Sequence, residues 1–553
     1  MRVRETSDRL TFNVVAGAYV VLFGIDLPEE DCGGLLGFSL HRQDHADGSS
    51  RFLSGTKRFE ATAADVAGGP PATFERHPLQ SFQWTDYTVE AGRTYTYTLR
   101  ALRGTPERLE AFAEVEVEVR TESPEDGLHD VYFNRGVAAS QAYQRRFGDV
   151  APQDVPGRAA FDWLSRGLNE ALESFLDSCQ PGRHALRIAA YEFNYDRFLA
   201  KVKQTVDRGV DVRVVYDARK DYPRDENDAA VAAAGLDGVS YRRTRPSSYI
   251  SHNKFIVRLE DGAPASVWTG GTNFSEGGIY GHSNVAHVVE EPETAERFLA
   301  YWDALAADPD SRELKRRVGE ISPLPGADLP EGTSVLFSPF HDAAPLDLYA
   351  ALAGSAEQGL FMTFAFGMND AFKEIYKNSA APFRLALMEQ AVRPMRPGPA
   401  RDAEEKSIRD LRRMPQNTFA VGSLIRTNEF DGWVRERLSR LNGHVRYVHN
   451  KFMLVDPLSD DPVVVAGSAN FSDASVRRND ENMLLIRGDR RVADIYLGEF
   501  MRLYSHHAFR ESLGWRDPDD RQPRWLRTDD WWRDYFGDTP RSARRRFFAR
   551  SAD

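Results

Sequence analysis

The stretch His252-Asn253-Lys254-Phe255, followed by Gly270-Gly271-Thr272-Asn273-Phe274-Ser275, returns later in the chain. The second copy is His449-Asn450-Lys451-Phe452, with Gly467-Ser468-Ala469-Asn470-Phe471-Ser472. From His to the later Asn is 21 residues in both copies (273 − 252 and 470 − 449), and the copies lie 197 residues apart. A match of identity and spacing over that separation marks a duplicated structural unit. Each unit brings one imidazole, one ammonium and one amide to a site, so two histidines can divide one reaction.

Around each cassette the same order of elements recurs. In the first half, helical periodicity over Ala159 to Leu176 leads to a β-rich run at Leu186 to Asn194, a helix around Phe198 to Arg208 and a strand at Val210 to Tyr216. The cassette strand begins near Tyr249, and a helix from Thr294 to Leu305 closes the unit. The second half repeats this with a helix at Leu346 to Ala353, a strand at Leu360 to Phe366, a helix at Ala371 to Tyr376, a strand at Phe383 to Leu387, the cassette, and a helix at Ala493 to Tyr504. The repeat is therefore a whole α/β domain. Asn194 to His252 is 58 residues and Asn369 to His449 is 80, which leaves 22 extra in the second copy. They are assigned to Ala391–Gln416, a Pro- and Arg-rich stretch with seven basic and four acidic residues, read as a long irregular insertion that is either a lid or substrate loop beside a catalytic element or a plain solvated loop.

The 553 residues exceed the size at which one core stops growing. Four segments are expected: a β-sandwich over 1–124, the two α/β units over 125–325 and 326–515, and a tail or cap over 516–553. In the first segment, β-rich runs at Tyr19 to Leu27, Leu35 to His41, Phe82 to Val89, Thr94 to Leu102 and Leu109 to Val119 alternate with turn clusters such as Ala67-Gly68-Gly69-Pro70-Pro71. Trp84 with Ala91-Gly92-Arg93-Thr94-Tyr95-Thr96-Tyr97 resembles the later strands of a fibronectin type III module. The tail holds Trp525, Trp531 and Trp532 with ten Arg against eight acidic groups, and reads as a docked cap.

A net charge of −12 disfavours a protein that coats nucleic acid through bulk electrostatics. Cys32 and Cys179 form no CxxC or Cys/His cluster, so neither a disulfide framework nor a structural zinc site is expected. No apolar run reaches the roughly 18 residues of a membrane span. Val14 to Ile25 reads as a buried strand rather than a signal peptide, because Glu5 and Asp8 interrupt its basic flank and no small-residue cleavage site follows. Cytoplasmic residence is the resulting expectation, with delivery by a route that needs no signal left open.

His and Lys at i and i+2 of a strand share a face, so His252 with Lys254, and His449 with Lys451, set a nucleophile or proton carrier beside a fixed positive charge. Asn273 and Asn470 add amide donors, and the glycines before them admit an anion close to the backbone. If the duplicated halves associate about a pseudo-twofold axis, both sets meet in one cleft. With these residues the chain resembles the phospholipase D superfamily, whose signature is HxKxxxxD followed by Gly-Ser-x-Asn, over roughly residues 130 to 510. The second copy matches in full: His449, Lys451, Asp456, Gly467, Ser468 and Asn470. In the first, Leu259 occupies the place of the aspartate, which the resemblance treats as mostly structural.

The resemblance implies an α/β fold of two duplicated phospholipase D-like α/β/α domains in a pseudo-twofold dimer within one chain, and a monomeric enzyme that needs no cofactor or metal. It implies that one His attacks phosphorus to form a phosphohistidine while the other protonates the leaving alkoxide and then activates water or an alcohol. Lys254, Lys451, Asn273 and Asn470 would hold the non-bridging oxygens. Eleven residues after each cassette Asn the family places a group behind the catalytic imidazole, here Asn284 and Glu481. Pairing each with the histidine of its own copy gives a carboxylate to His449, the general acid and base, and leaves His252 as nucleophile. His282, His287 and His444 read as packed or surface residues. The substrate expected first is a phospholipid at a membrane surface; a nuclease of the same superfamily and an inactive binding module are the alternatives.

Overall fold

The computed structural model describes residues 1–63, 72–136, 141–148, 150–247, 249–326, 328–393, 395–422, 448–514 and 525–551. Each cassette belongs to a seven-stranded mixed sheet. Across the first sheet the order is His129–Phe133, Val285–Val289, Ala263–Gly270, Lys254–Glu260, His184–Ala190, Asp211–Asp217 and Ser240–Arg243. Across the second it is Gly332–Ser338, Glu481–Arg487, Val463–Gly467, Phe452–Val455, Gly359–Phe364, Phe383–Met388 and Asn417–Val421. In each sheet the last three strands run parallel and the other neighbours antiparallel. The two halves thus share one topology, as the repeated cassette predicts.

Parallel neighbours need crossover connections. Helices Asp196–Asp207 and Asp221–Ala233 supply them in the first half, and Asp370–Asn378 and Pro399–Arg412 in the second. Strands Gly359–Phe364 and Phe383–Met388 are buried at every residue, as expected of a sheet covered on both faces. On the outer face of the first sheet Leu172, Phe198 and Leu199 pack on Ile188 and Val214; on the second, Leu352, Phe372 and Tyr376 pack on Met362 and Ala386. The inner faces share one core, in which Phe255, Phe298 and Tyr301 of the first half join Phe337, Phe452 and Phe500 of the second. Tyr301 stacks on Phe337 at 4.3 Å between ring centres, so the halves are packed as one body.

The N-terminal segment forms two four-stranded antiparallel sheets, ordered Arg2–Ser7, Leu10–Ala16, Val21–Asp26, Gln83–Asp86 and Arg108–Arg120, Thr94–Thr105, Gly37–Asp44, Ser50–Phe52. Their facing apolar residues make a separate core. The chain end closes onto it. Trp531, Trp532 and Phe536 enter that core, and the Trp531 indole donates to the Leu35 carbonyl at 2.8 Å. Helix Pro540–Ala549 then bridges to the second α/β half: Asn13 donates to the Phe548 carbonyl at 2.7 Å, while Phe547 lies 5.3 Å from Phe361 and 5.2 Å from Phe383. The tail is a docked strap.

Three sequence expectations are corrected. The helix expected from Ala159 to Leu176 is two helices, Ala159–Ser165 and Leu168–Asp177, because Arg166 and Gly167 take positive φ and the buried Arg166 pairs with Glu499 at 2.7 Å. Ala391–Gln416 is not an irregular insertion, since it holds the crossover helix Pro399–Arg412, counterpart of Asp221–Ala233. From the last parallel strand to the catalytic histidine is 9 residues in the first half (252 − 243) and 28 in the second (449 − 421), so most of the extra length falls in 423–447, outside the described residues. Finally, neither His lies within a strand: His252 and His449 sit just before Lys254–Glu260 and Phe452–Val455.

The strap and sandwich meet without room to spare. A Cβ on Gly24 would stand 2.0 Å from the Phe548 carbonyl oxygen, a backbone atom that cannot turn away. Gly24→Ala is expected to lower stability by about 3 kcal/mol, measured by denaturant unfolding, whereas Gly33→Ala, with open space around it, leaves the midpoint unchanged.

Candidate active site

The segments before the two cassette strands each meet the other half. Ser251 bridges Asp480 and Val448 bridges Ser283, both parallel. Adding 197 to 251 and 283 gives 448 and 480, so the two bridges are one contact repeated by the pseudo-twofold relation. That relation carries both histidines into a single buried site, where they are 6% and 7% exposed.

The imidazole partners cross in the same way. His252 Nδ1 lies 2.8 Å from Glu481 Oε2, and His449 Nδ1 lies 2.9 Å from Asn284 Oδ1. Each histidine is therefore supported by the other copy, not by its own, which overturns the pairing expected from sequence. The Asn284 amide donates to the Gly278 carbonyl at 2.7 Å, so its oxygen faces the imidazole and His449 Nδ1 must donate. Burial holds His252 below the ordinary histidine value, with Glu481 acting against it. Burial and then Lys451 hold His449 well below, with His282, Lys254 and His252 adding to the effect.

Both ammonium groups adjoin the rings. Lys451 Nζ is 2.9 Å from His449 Nε2, and Lys254 Nζ donates to the His252 carbonyl and stands 5.0 Å over the Tyr191 ring. The Tyr191 ring also meets His252 at 4.9 Å. Asn273 and Asn470, the matched amides, each keep a buried Oδ1 without a hydrogen-bond partner. A Cβ on Gly270 would approach the Val285 carbonyl oxygen to 2.4 Å, and one on Gly467 the Asn482 carbonyl oxygen to 2.3 Å. Glycine is required at both places because backbone crosses backbone there. Two imidazoles, two ammonium groups and two amides thus converge as a set suited to a phosphoryl group. Among the described residues no three His, Cys, Asp or Glu side chains converge as on a metal ion.

Asp456 is not part of this set. Its carboxylate accepts from the backbone N–H groups of Glu357, Gln358 and Gly359 at 2.7–2.9 Å, tying the far end of the cassette strand to the next strand. That role explains why Leu259 in the first copy leaves the site intact. His282 is more than a bystander, for its ring stacks on His449 at 4.7 Å. His287 is buried against His129 and Tyr496, and His444 lies outside the described residues.

Several supporting residues escaped the sequence reading. Asp217 accepts the Ser251 N–H at 2.9 Å and Glu389 the Val448 N–H at 2.8 Å, so a carboxylate at the end of a parallel strand fixes the residue before each histidine. Burial pushes Asp217 up to about 7. Asn482 joins the halves by donating to Asn253 Oδ1 at 2.8 Å and accepting from Thr269 Oγ1 at 2.6 Å. The paired position of Asp217 and Glu389 in the repeat was the available signal.

Comparison with known proteins agrees with this duplicated site. The family described as "Cardiolipin synthase, PLD-like domain" matches residues 172–306 and 355–504, just over half of the chain. The chain belongs to that phospholipase D-like family. Among solved structures it is similar to polyphosphate kinase from Porphyromonas gingivalis, at 10% identity and TM-score 0.40, over 67% of this chain and 53% of the kinase. It thus spans about half of that protein's length. The phospholipase D family member Nuc from Salmonella typhimurium shows 29% identity and TM-score 0.21 over 25% of this chain and 87% of Nuc. Yeast tyrosyl-DNA phosphodiesterase shows 12% identity and TM-score 0.32 over 58% and 88%. No curated protein matches the chain.

Two measurements probe the site. Glu481→Gln removes an upward influence on His252, so the His252 ring is expected to titrate lower still while His449 stays in place by histidine NMR; movement of His449 alone would mean that the pairs run within each copy. Burial pushes Lys254 down to about 7 from its ordinary 10.5. Between those values the unfolded chain keeps the proton that the folded chain has lost, so stability rises with pH across that window. Lys254→Met is expected to abolish turnover, to raise stability below pH 7 by on the order of 4 kcal/mol, and to flatten that rise, measured by denaturant unfolding at pH 6 and 9.

Proposed function

We propose that this enzyme cleaves the phosphodiester of a phospholipid at a membrane surface, by hydrolysis or headgroup transfer, through a phosphohistidine and without a metal ion. His252 attacks phosphorus through Nε2 as His449 gives a proton to the departing alkoxide oxygen. His449 then takes a proton from water or an alcohol, whose oxygen attacks phosphorus and releases His252. Lys254, Lys451, Asn273 and Asn470 stabilise the charge on the non-bridging oxygens.

The observation that carries this reading is the crossed support of the two imidazoles. Phosphorylation at Nε2 leaves a cationic ring, and in a buried site a carboxylate at Nδ1 compensates that charge far better than an amide does. Glu481 stands behind His252 at 2.8 Å. His449 is backed at Nδ1 by a neutral amide, and its Nε2, beside Lys451, is the nitrogen left to exchange protons with the leaving oxygen and the incoming nucleophile. The assignment of His252 as nucleophile therefore stands on different ground from the sequence argument, whose pairing was wrong.

For the substrate, the family description names a phospholipid synthase, and the chain carries a net charge of −12. Beyond the Tyr191–His252 contact, Tyr222 donates to Glu192 and is 50% exposed, and Phe366, at the end of the strand that carries Thr363, is 37% exposed. Six of the seven basic residues of the Arg-rich stretch have carboxylate partners, which weakens it as a cationic track for nucleic acid. Arg393, Arg401, Lys406, Arg409, Arg412 and Arg413 are each ion-paired to Asp or Glu. Among the described residues no helix is long and apolar enough to cross a membrane, so the proposed encounter with lipid is peripheral.

Purified protein offered phospholipid vesicles, single- and double-stranded nucleic acid and an aryl phosphodiester, all with EDTA, is expected to turn over vesicles and the aryl ester. His252→Ala is expected to lower that activity by at least about 1,000-fold. Turnover of nucleic acid alone would replace the lipid reading, loss of activity in EDTA would overturn the metal-free mechanism, and no turnover of any substrate would favour a binding module. Acid quenching should trap a phosphoenzyme in His449→Asn and none in His252→Asn; the reverse would exchange the two roles.

A further inference from the structure

The backbone bridge behind each histidine is repeated by the twofold relation, but the residues that make it differ. The backbone of Asp480 brackets His252, its carbonyl accepting the His252 N–H at 2.9 Å and its N–H donating to the Ile250 carbonyl at 3.0 Å. The next residue, Glu481, takes His252 Nδ1. One short segment of the second half therefore fixes both the backbone and the ring of the first half's histidine.

That segment is itself clamped by buried charge. Asp480 Oδ2 accepts from Arg219 Nη2 and, at 3.2 Å, from Arg243 Nε. Arg243 Nη1 continues to Asp308 Oδ1 and the Pro309 carbonyl, both at 2.7 Å. Arg219 Nε lies 3.8 Å from Asp217, whose carboxylate accepts the Ser251 N–H. The Arg219 and Arg243 side chains are fully buried and that of Asp480 nearly so. Burying two guanidinium groups is costly unless they are paired and geometrically well matched. Both arginines come from the first half and Asp480 from the second, so the network closes only when the halves are docked.

The matching position beside the other histidine carries no charge. Subtracting 197 from 480 gives Ser283, an uncharged residue, at the equivalent bridge to Val448. Glu389 there matches Asp217 in role, but the partner of His449 is the neutral Asn284. We infer that Asp480, clamped by Arg219 and Arg243, is a positioning residue for the His252–Glu481 pair and sets that imidazole for attack on phosphorus. The inference rests on the proposed role of His252 as nucleophile. It accounts for a buried charged network behind that ring: the attacking nitrogen must meet phosphorus in line, and a displacement of about 1 Å costs on the order of 100-fold in rate. A proton can be relayed over a looser geometry.

The test compares wild type, Asp480→Asn and Arg219→Lys in the full chain. Rapid-quench formation of the phosphoenzyme from an aryl phosphodiester is followed together with long-range 1H–15N NMR of the histidine rings. Both variants are expected to form the phosphoenzyme about 100-fold more slowly with KM changed by less than about threefold. The His252 nitrogens should leave the Nδ1–H pattern while those of His449 do not move. A folded variant that keeps the wild-type rate, or one in which the His449 nitrogens move as far as those of His252, would overturn the inference in favour of general structural support. If Asp480→Asn does not fold, Arg219→Lys, which keeps the charge, decides alone. Phosphoryl trapped on His449 would reject the assigned roles, while the NMR comparison would still decide whether the clamp acts on His252.

Discussion

Each catalytic imidazole depends on a group delivered by the opposite half. His252 rests on Glu481 and His449 on Asn284, and the 197-residue offset converts one contact into the other. A half on its own would present a histidine without the Nδ1 partner that it has here. The chemistry therefore requires the docked pair, and the surrounding structure serves to keep the two halves in register.

That register is set at several levels. At the residues before the histidines, the Ser251–Asp480 and Val448–Ser283 bridges join the backbones of the two halves, and Asn482 donates to Asn253 across the same interface. Behind them the inner core, with Phe255, Tyr301, Phe337 and Phe452, makes sliding of one sheet on the other costly in buried apolar area. Farther out, the C-terminal strap joins the N-terminal sandwich to the second sheet through Phe547 and Phe548. The sandwich is in this way tied to the catalytic body at the half that holds His449.

Much of this was legible in the residues. Paired cassettes disclosed the duplication, and periodicity located the strands and helices of both halves. What local pattern missed has identifiable causes. The helix expected across Arg166 breaks because that guanidinium leaves the helical path to pair with Glu499, 333 residues away. The Arg-rich stretch looked like a loop because its Pro residues precede a helix that they start rather than break. The structural role expected for Asp456 was legible in the motif, and its carboxylate serves three backbone N–H groups.

The sequence by itself determined that two equivalent units exist, that each carries one His, Lys and Asn, and that their sum suits a phosphodiester. It determined too that the units are unequal, with Asn284 opposite Glu481 in the alignment of the copies. Only the tertiary structure decided which unequal partner meets which histidine. Spacing along a chain specifies what a unit contains, whereas a twofold interface specifies what it contacts, and an exchange across that axis leaves every spacing unchanged. The buried Arg219–Asp480–Arg243 cluster belongs to the same class of fact, since its members lie far apart in sequence and meet only where the two halves close.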